Sequence, residues 1–179
     1  MPIVSTRHRY GSLLQALHWL TAVLVVAAYF VADGRSGRGG RPDEDTFLHE
    51  TLGMAIFVLV AIRLLWRVLD HGPEAEPIPF VMRAGARAMH LALYALLIVV
   101  PVTGILGAWF EGYPVTVIGV GQFLPWVARN EDFGEDIADI HELLGNAMIW
   151  LAGAHAGAAL FHHFVRRDGV MRQMLPGRS

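Results

Sequence analysis

Two histidines, His141 and His155, stand fourteen residues apart in the last apolar stretch of the chain. On a helix turning ~100° per residue, that spacing covers roughly 1400°, about 40° short of four full turns. Both rings then share one face, roughly 21 Å apart along the axis. Two more histidines fall at matching depths in other apolar stretches. His49 lies near the start of the second, level with His141, and His18 lies inside the first, level with His155 once helix tilt is allowed. Ionisable residues at membrane depth are costly and mark a functional site by default. Paired imidazoles from facing helices are how a helical bundle holds haem iron. Iron with two histidine ligands has no open coordination position, which favours electron transfer over oxygen binding. The chain has no cysteine. Covalent c-type haem, iron–sulfur clusters and thiolate zinc sites are therefore excluded, and the haems expected are two of b type.

Plainer readings compete at each position. A single buried histidine is more often a hydrogen-bonded structural residue than a ligand, and it is the four at paired depths that favour ligation. A zinc or copper transport site would want carboxylates beside the histidines at the midplane. Glu50 and Glu142 neighbour His49 and His141 in sequence, but at the rim. His90 opens the third stretch. It either contacts a haem propionate, replaces His18 as a ligand, or is simply interfacial. Arg63 and Arg67, at i and i+4 near the end of the second stretch, are either positive-inside anchors or partners of a haem propionate. His162 and His163 are adjacent, so they cannot both face the core; they read as interfacial, with one near a quinone. His8 and His71 read as solvated. Gly53 and Gly145 each follow a histidine by four residues, and Gly153 and Gly157 flank His155. They leave clearance for a flat porphyrin or for close helix packing.

The elements that must carry these residues are long and apolar. The 179 residues are 54% hydrophobic and 17% charged, against about 25% charged in a soluble domain. The net charge of −2 suggests no surface for nucleic acid. All fourteen basic residues are arginine, so lysine Schiff-base chemistry is excluded. Four stretches are each long enough for a hydrocarbon core of about 30 Å. They predict helices at about 13–32, 47–69, 88–110 and 140–165. The second is marginal, because Arg63 follows only the uncharged run 51–62 and must snorkel or find a partner. The first is longer than a signal-peptide apolar region and reads as a retained helix. The expected fold is an all-α membrane protein of one domain, a four-transmembrane-helix up-down bundle.

Three connections join the helices. The first, 33–46, is Gly- and Arg-rich. The second, with Pro73, Pro77 and Pro79, reads as extended. The third, 111–139, contains an apolar piece, 115–127, too short to span, which is expected to lie at the outer interface as a lid. Pro101 with Gly104 and Gly107 predicts a kink in the third helix. Trp19, Trp66 and Trp109 read as interfacial belt residues. Ten arginines (Arg7, Arg9, Arg63, Arg67, Arg83, Arg87, Arg166, Arg167, Arg172 and Arg178) fall on one side. Arg35, Arg38, Arg41 and Arg129 fall on the other. The positive-inside rule then puts both termini in the cytoplasm.

The run Ile140-His141-Glu142, followed by Trp150, His155 and His162-His163, resembles the last helix of the bacterial cytochrome b561 family. Leu17-His18-Trp19-Leu20 is similar to that family's first-helix signature. His49 with Gly53 and the closing Arg63-Leu64-Leu65-Trp66-Arg67 resemble its second helix, and His90-Leu91 with Tyr94 its third. The third connection, with Gly112, Pro114 and Pro125, has the family's shape. The resemblance runs from about Tyr10 to Pro176. It implies a bacterial inner-membrane cytochrome with two b haems that exchanges electrons with the quinone pool. It also implies that His18 and His155 bind the inner haem, and His49 and His141 the outer one. Some relatives oxidise superoxide at the outer face and reduce ubiquinone. Related cytochrome b subunits anchor larger dehydrogenases and take electrons from them. The third connection carries Glu111, Glu131, Asp132, Glu135, Asp136 and Asp139 against Arg129, a net of five negative charges. Positive potential would steer superoxide, whereas this face suits a cationic periplasmic redox partner. Arg35, Arg38 and Arg41 would offset the acids if they fold over the outer haem. The function classes expected are therefore an oxidoreductase or electron carrier, a dehydrogenase anchor subunit, or a metal or small-solute transporter.

Overall fold

The computed structural model describes residues 3–7, 9–33, 44–70, 72–73 and 78–175. Four helices account for most of it: α1 (Ser12–Asp33), α2 (Glu44–Leu69), α3 (Phe80–Glu111) and α4 (Glu131–Phe161). All four are long and apolar enough to cross a membrane. The 22 residues of α1 reach about 33 Å, just over the thickness of a hydrocarbon core. Their apolar surface is largely unburied. Trp150 on α4 is 81% exposed, and Val68 and Leu91 are similarly bare. In water that would be an aggregation surface; in lipid it is the solvated face, because lipid tails are as apolar as leucine.

α1 packs chiefly on α2, and α3 on α4, so the bundle is two helical hairpins laid side by side. α2 meets α3 less extensively, and α1 touches α4 at few points. The shared core is a layer at mid-depth. Val25 and Ala28 from α1, Ile56 and Val60 from α2 and Leu97 from α3 are buried together, with Met148 and Ile149 of α4 against them. Between the two hairpins, Tyr29 Oη donates to Asn146 Oδ1 at 2.9 Å.

Two helices start earlier than expected. α3 starts at Phe80, eight residues before the expected start, and α4 at Glu131, nine before. Both extensions are amphipathic and charged, so apolar-run length misses them while helix signals hold. Asn130 Oδ1 accepts from the Phe133 amide at 3.3 Å, and Glu131 and Asp132 sit in the first turn, where the helix dipole favours acids. α3 ends because Gly112 adopts φ +89°, with the Gly112 and Tyr113 amides closing on Trp109 and Ala108 carbonyls. The remaining connection, 112–130, holds an antiparallel hairpin, β1 (Val115–Val117) and β2 (Gly121–Phe123), with Val115 opposite Phe123. This hairpin is tied to α2 by Thr116 N–H donating to Glu50 Oε2 at 2.7 Å and Ile118 N–H to Thr51 Oγ1 at 3.0 Å. Trp109 Nε1 of α3 donates to the Phe123 carbonyl at 3.1 Å. α3 runs unbroken through Pro101.

The opposite end of the bundle carries both chain termini. Ser5 donates from its amide and its hydroxyl to Asp70, which is buried after α2. Gln15 Nε2 donates to the Tyr10 and Gln173 carbonyls, and Trp19 Nε1 to the Met174 carbonyl. α4 closes in a π-helical turn, His162–Arg166, and Arg167 follows at φ +55°. Most of the first connection, with Arg35, Arg38 and Arg41, lies outside the described residues, as do His8, His71, Pro77 and Arg178.

Candidate functional site

Five of the histidines gather at two levels. At the end that carries the β-hairpin, His49 of α2 faces His141 of α4 with ring centroids 5.9 Å apart and planes nearly perpendicular. Each ring is anchored to a neighbouring helix. His49 Nδ1 bonds the Ala28 carbonyl of α1 at 3.0 Å, and His141 Nδ1 bonds the Val100 carbonyl of α3 at 2.8 Å. A carbonyl only accepts, so in these two bonds Nδ1 is the donor. Thr103 Oγ1, whose own hydrogen goes to α3 carbonyls, stands 3.3 Å from His141 Nδ1. Gly104 makes the anchoring possible: a Cβ there would lie 2.9 Å from His141 Cε1. Its role is to admit the ring, where the sequence suggests a kink.

At the end that carries the termini, His155 of α4 stands between two rings. His18 of α1 is 6.3 Å away by centroids, and His90 of α3 is 5.3 Å away. His18 and His155 are half-buried and His90 is exposed. Among the described residues no hydrogen bond reaches a ring nitrogen of these three. Arg63 of α2 lies within electrostatic range of His18, His90 and His155, and Arg67 within range of His90. The Arg63 guanidinium lies 5.4 Å from the centre of the Tyr94 ring, a cation–π contact. Arg67, one turn on, instead stacks on Tyr10 at 5.0 Å. Two ring nitrogens at this end are buried without a hydrogen-bond partner among the described residues, Trp66 Nε1 and His163 Nδ1. His162 Nδ1 is taken by Asp168 Oδ2 at 2.6 Å, with Arg166 Nε on the same oxygen at 3.2 Å.

Among the described residues no group of three or more histidine or carboxylate side chains is arranged to hold a metal ion. Each level offers imidazole pairs instead. The prokaryotic cytochrome b561 family model matches residues 9–177. The chain belongs to that family. Cytochrome b561 homolog 2 of Escherichia coli K12 is 32% identical over 188 residues, covering 100% of this chain and 97% of the relative. Cytochrome b561 homolog 1 of the same organism is 31% identical over 180 residues, covering 96% and 99%. A probable superoxide oxidase of Yersinia pestis is 31% identical over 172 residues, covering 94% and 96%. The protein is thus a membrane cytochrome, and membership of the cytochrome b561 family implies haem b.

The side chains present fit that group. Two imidazoles gripping one metal ion from opposite sides, at about 2.0–2.1 Å per bond, hold their centroids roughly 6 Å apart. The 5.9 Å and 6.3 Å pairs meet this condition, and the 5.3 Å pair is short of it. Room exists beside the rings. A Cβ added at Gly53, Gly145, Gly153 or Gly157 would meet no heavy atom within 4 Å. The five histidines and Arg63 that the sequence singles out are the residues the structure brings together at the two levels. Sequence reasoning missed Thr103, Gly104 as a spacer, and Asp168 as the partner of His162. It also read Trp66 as a belt residue, although its N–H is buried. Those roles depend on contacts between helices that no spacing along one helix encodes.

Proposed function

We propose that this cytochrome binds two haem b groups and carries electrons across a bacterial inner membrane between a donor at the hairpin end and the quinone pool at the termini end. His49 and His141 hold one group, and His18 and His155 the other. The observation that carries the reading is the stacking of two imidazole pairs, each near the span for one shared metal ion, at opposite ends of the bundle. The exposure of His90 and its shorter approach to His155 favour His18 as the ligand, with His90 beside it. The arginine bias supports cytoplasmic termini, so the hairpin end is the periplasmic one.

Haem iron, when bound, supplies a one-electron carrier at each level. The chain's own residues do the rest. The Ala28 and Val100 carbonyls fix ring tautomer and orientation at the hairpin end. The mid-depth layer of Val25, Ile56, Val60 and Leu97 keeps water out between the levels. Arg63 offers a guanidinium to a haem propionate at the termini end, and Arg67 lies one turn beyond it. The unpartnered Trp66 N–H is a donor suited to a quinone carbonyl or a propionate at that same end, and His163 Nδ1 is a second polar atom there. Superoxide:ubiquinone oxidoreductase is the specific activity that the name of the Yersinia pestis relative supports. The acidic first turns of α4 work against steering an anion and favour a cationic donor.

Haem content per chain tests the reading, measured as pyridine haemochrome on protein from haem-replete cells. H49A and H141A are each expected to lose one haem and keep the other, and H18A and H155A to do the converse. Unchanged content in these variants would refute the ligand assignment. Quinone reduction on adding superoxide to the loaded protein then tests the donor.

A further inference from the structure

Basic side chains gather where α3 begins and α4 ends, apart from the histidine levels. Arg83 and Arg87 stand at i and i+4 in the charged start of α3, and Arg166 and Arg167 follow α4 at its π-helical close. The two ends touch: Arg166 Nη1 lies 3.3 Å from Met82 Sδ in the first turn of α3. Like charges brought together repel, so such a cluster calls for anions. The protein supplies little. Among the described residues Asp168 is the only carboxylate bonded to any of these arginines; it pairs with Arg166 and also takes His162 Nδ1. Arg83 Nη2 donates to the Ile78 carbonyl, a neutral acceptor.

The surface that runs on from these charges is apolar and bare. At ~100° per residue, Phe80, Ala84, Arg87 and Leu91 fall within about 60° of one another on α3, with Arg83 about 40° further round. All five are exposed, while Met82 and Met89 on the other side of the helix are partly covered. The arginines therefore sit on the stripe that faces away from the bundle. On α4 the exposed Trp150 and Phe161, eleven residues apart, share a face, and the exposed Phe164 and Val165 carry apolar surface on to Arg166. Leu91 lies about 6 Å along the axis from Arg87, towards mid-membrane. Cationic groups thus stand at the edge of the hydrocarbon with apolar side chains just inside it. A soluble anion would use only the charges, and a water-borne protein would not reach the deeper apolar residues. A molecule with a phosphate on two hydrocarbon tails uses both.

We propose that the adjoining ends of α3 and α4 form a binding site for an anionic phospholipid, its phosphate held by Arg83, Arg87, Arg166 and Arg167 and its acyl chains lying on Leu91 and Phe161. The planar guanidinium fork matches two phosphate oxygens at once, and the long arginine stems cover apolar surface while their heads stay at the interface. Basic pockets between membrane helices suit acidic headgroups for the same reason. The site involves no haem ligand and is independent of haem count.

Native mass spectrometry of the full chain in detergent tests the site, with phosphatidylglycerol and phosphatidylcholine of matched acyl chains as probes and Tm as a second readout. Phosphatidylglycerol is expected to stay bound and to raise Tm, and phosphatidylcholine to do neither. One arginine at a membrane surface contributes roughly a fivefold factor in affinity for anionic lipid, so R83Q/R87Q should weaken phosphatidylglycerol binding by roughly 25-fold. R83K/R87K should keep most of it, and R129Q, at the hairpin end, all of it. Equal retention of the two lipids, or undiminished binding by R83Q/R87Q, would overturn the proposal. So would a rise in Tm with inorganic phosphate alone that matches the one with phosphatidylglycerol, since the site would then serve a free anion. If R83Q/R87Q yields no folded protein, the unaltered chain still decides: bound phosphatidylglycerol must fall as salt is raised, and retention indifferent to salt contradicts a site built on charge. Failure here leaves the two-haem reading standing, because none of these readouts involves haem.

Discussion

At the hairpin end His49 and His141 are each tied by one ring nitrogen to a helix carbonyl, whereas at the termini end His18, His90 and His155 are gathered around Arg63 without such ties among the described residues. The first arrangement fixes geometry through backbone atoms, which side-chain substitution cannot remove directly. The second leaves the rings without backbone ties and places them near the Arg63 and Arg67 guanidinium groups. The same ligand type thus serves two electronic settings, because tuning comes from the neighbours of the ligands.

The comparison can be broken hardest at Gly104. G104V would drive a side chain into the His141 ring, whose Cε1 lies 2.9 Å from the nearest possible Cβ. The expected result is loss of the hairpin-end haem with the termini-end haem retained, so haem content per chain falls by half. Full content in G104V would show that His141 need not sit against α3.

A second substitution sharpens the termini end. H90A is expected to keep both haems and H18A to lose one, as counted by pyridine haemochrome. The reverse pattern would make His90 the ligand and leave the 6.3 Å pair without a role.

Smaller effects follow from what holds each end. N130A removes the cap of α4 beside the hairpin and should destabilise the protein by about 1 kcal/mol, read as a lower Tm in detergent. At the termini end burial works to raise the pKa of Asp168, but hydrogen bonds from His162, Val170 and Arg166 outweigh it and hold the carboxyl below its usual range. A carboxylate depressed by folding adds stability above its unfolded pKa of about 3.9, and that stability is lost as pH falls through the folded value. D168N should flatten the acid limb of a Tm-against-pH profile slightly and leave haem content unchanged. A profile identical to that of the unaltered protein would mean that the His162–Asp168 pair carries no linked stability.

The spans were legible because charge-free runs of this length have few alternatives to a membrane helix, and the bundle followed from them. The histidine levels were legible because fourteen residues return a helix to nearly the same face, so His141 and His155 demanded partners at two depths. The charged starts of α3 and α4 were not, since Phe80 to Arg87 and Glu131 to Asp139 lie outside the apolar windows. The hairpin 115–123 was read only as an apolar piece, because two three-residue strands leave little pattern beyond Gly119 and Gly121. Gly104 looked like a flexible point in a Pro-containing helix; its purpose appears only when the His141 ring arrives from another helix. The choice between His18 and His90 stayed open in the sequence because both sit at similar depth; the proposal of His18 rests on ring separation and exposure, which no spacing along the chain encodes.

The most direct measurement is the ratio of haem to polypeptide in the purified, unaltered protein, taken with its reduced-minus-oxidised visible spectrum. Two b-type haems per chain, both reducible and both low-spin as expected for paired imidazoles, is the outcome this account requires. A colourless protein, or a single haem per chain from haem-replete cells, would contradict it.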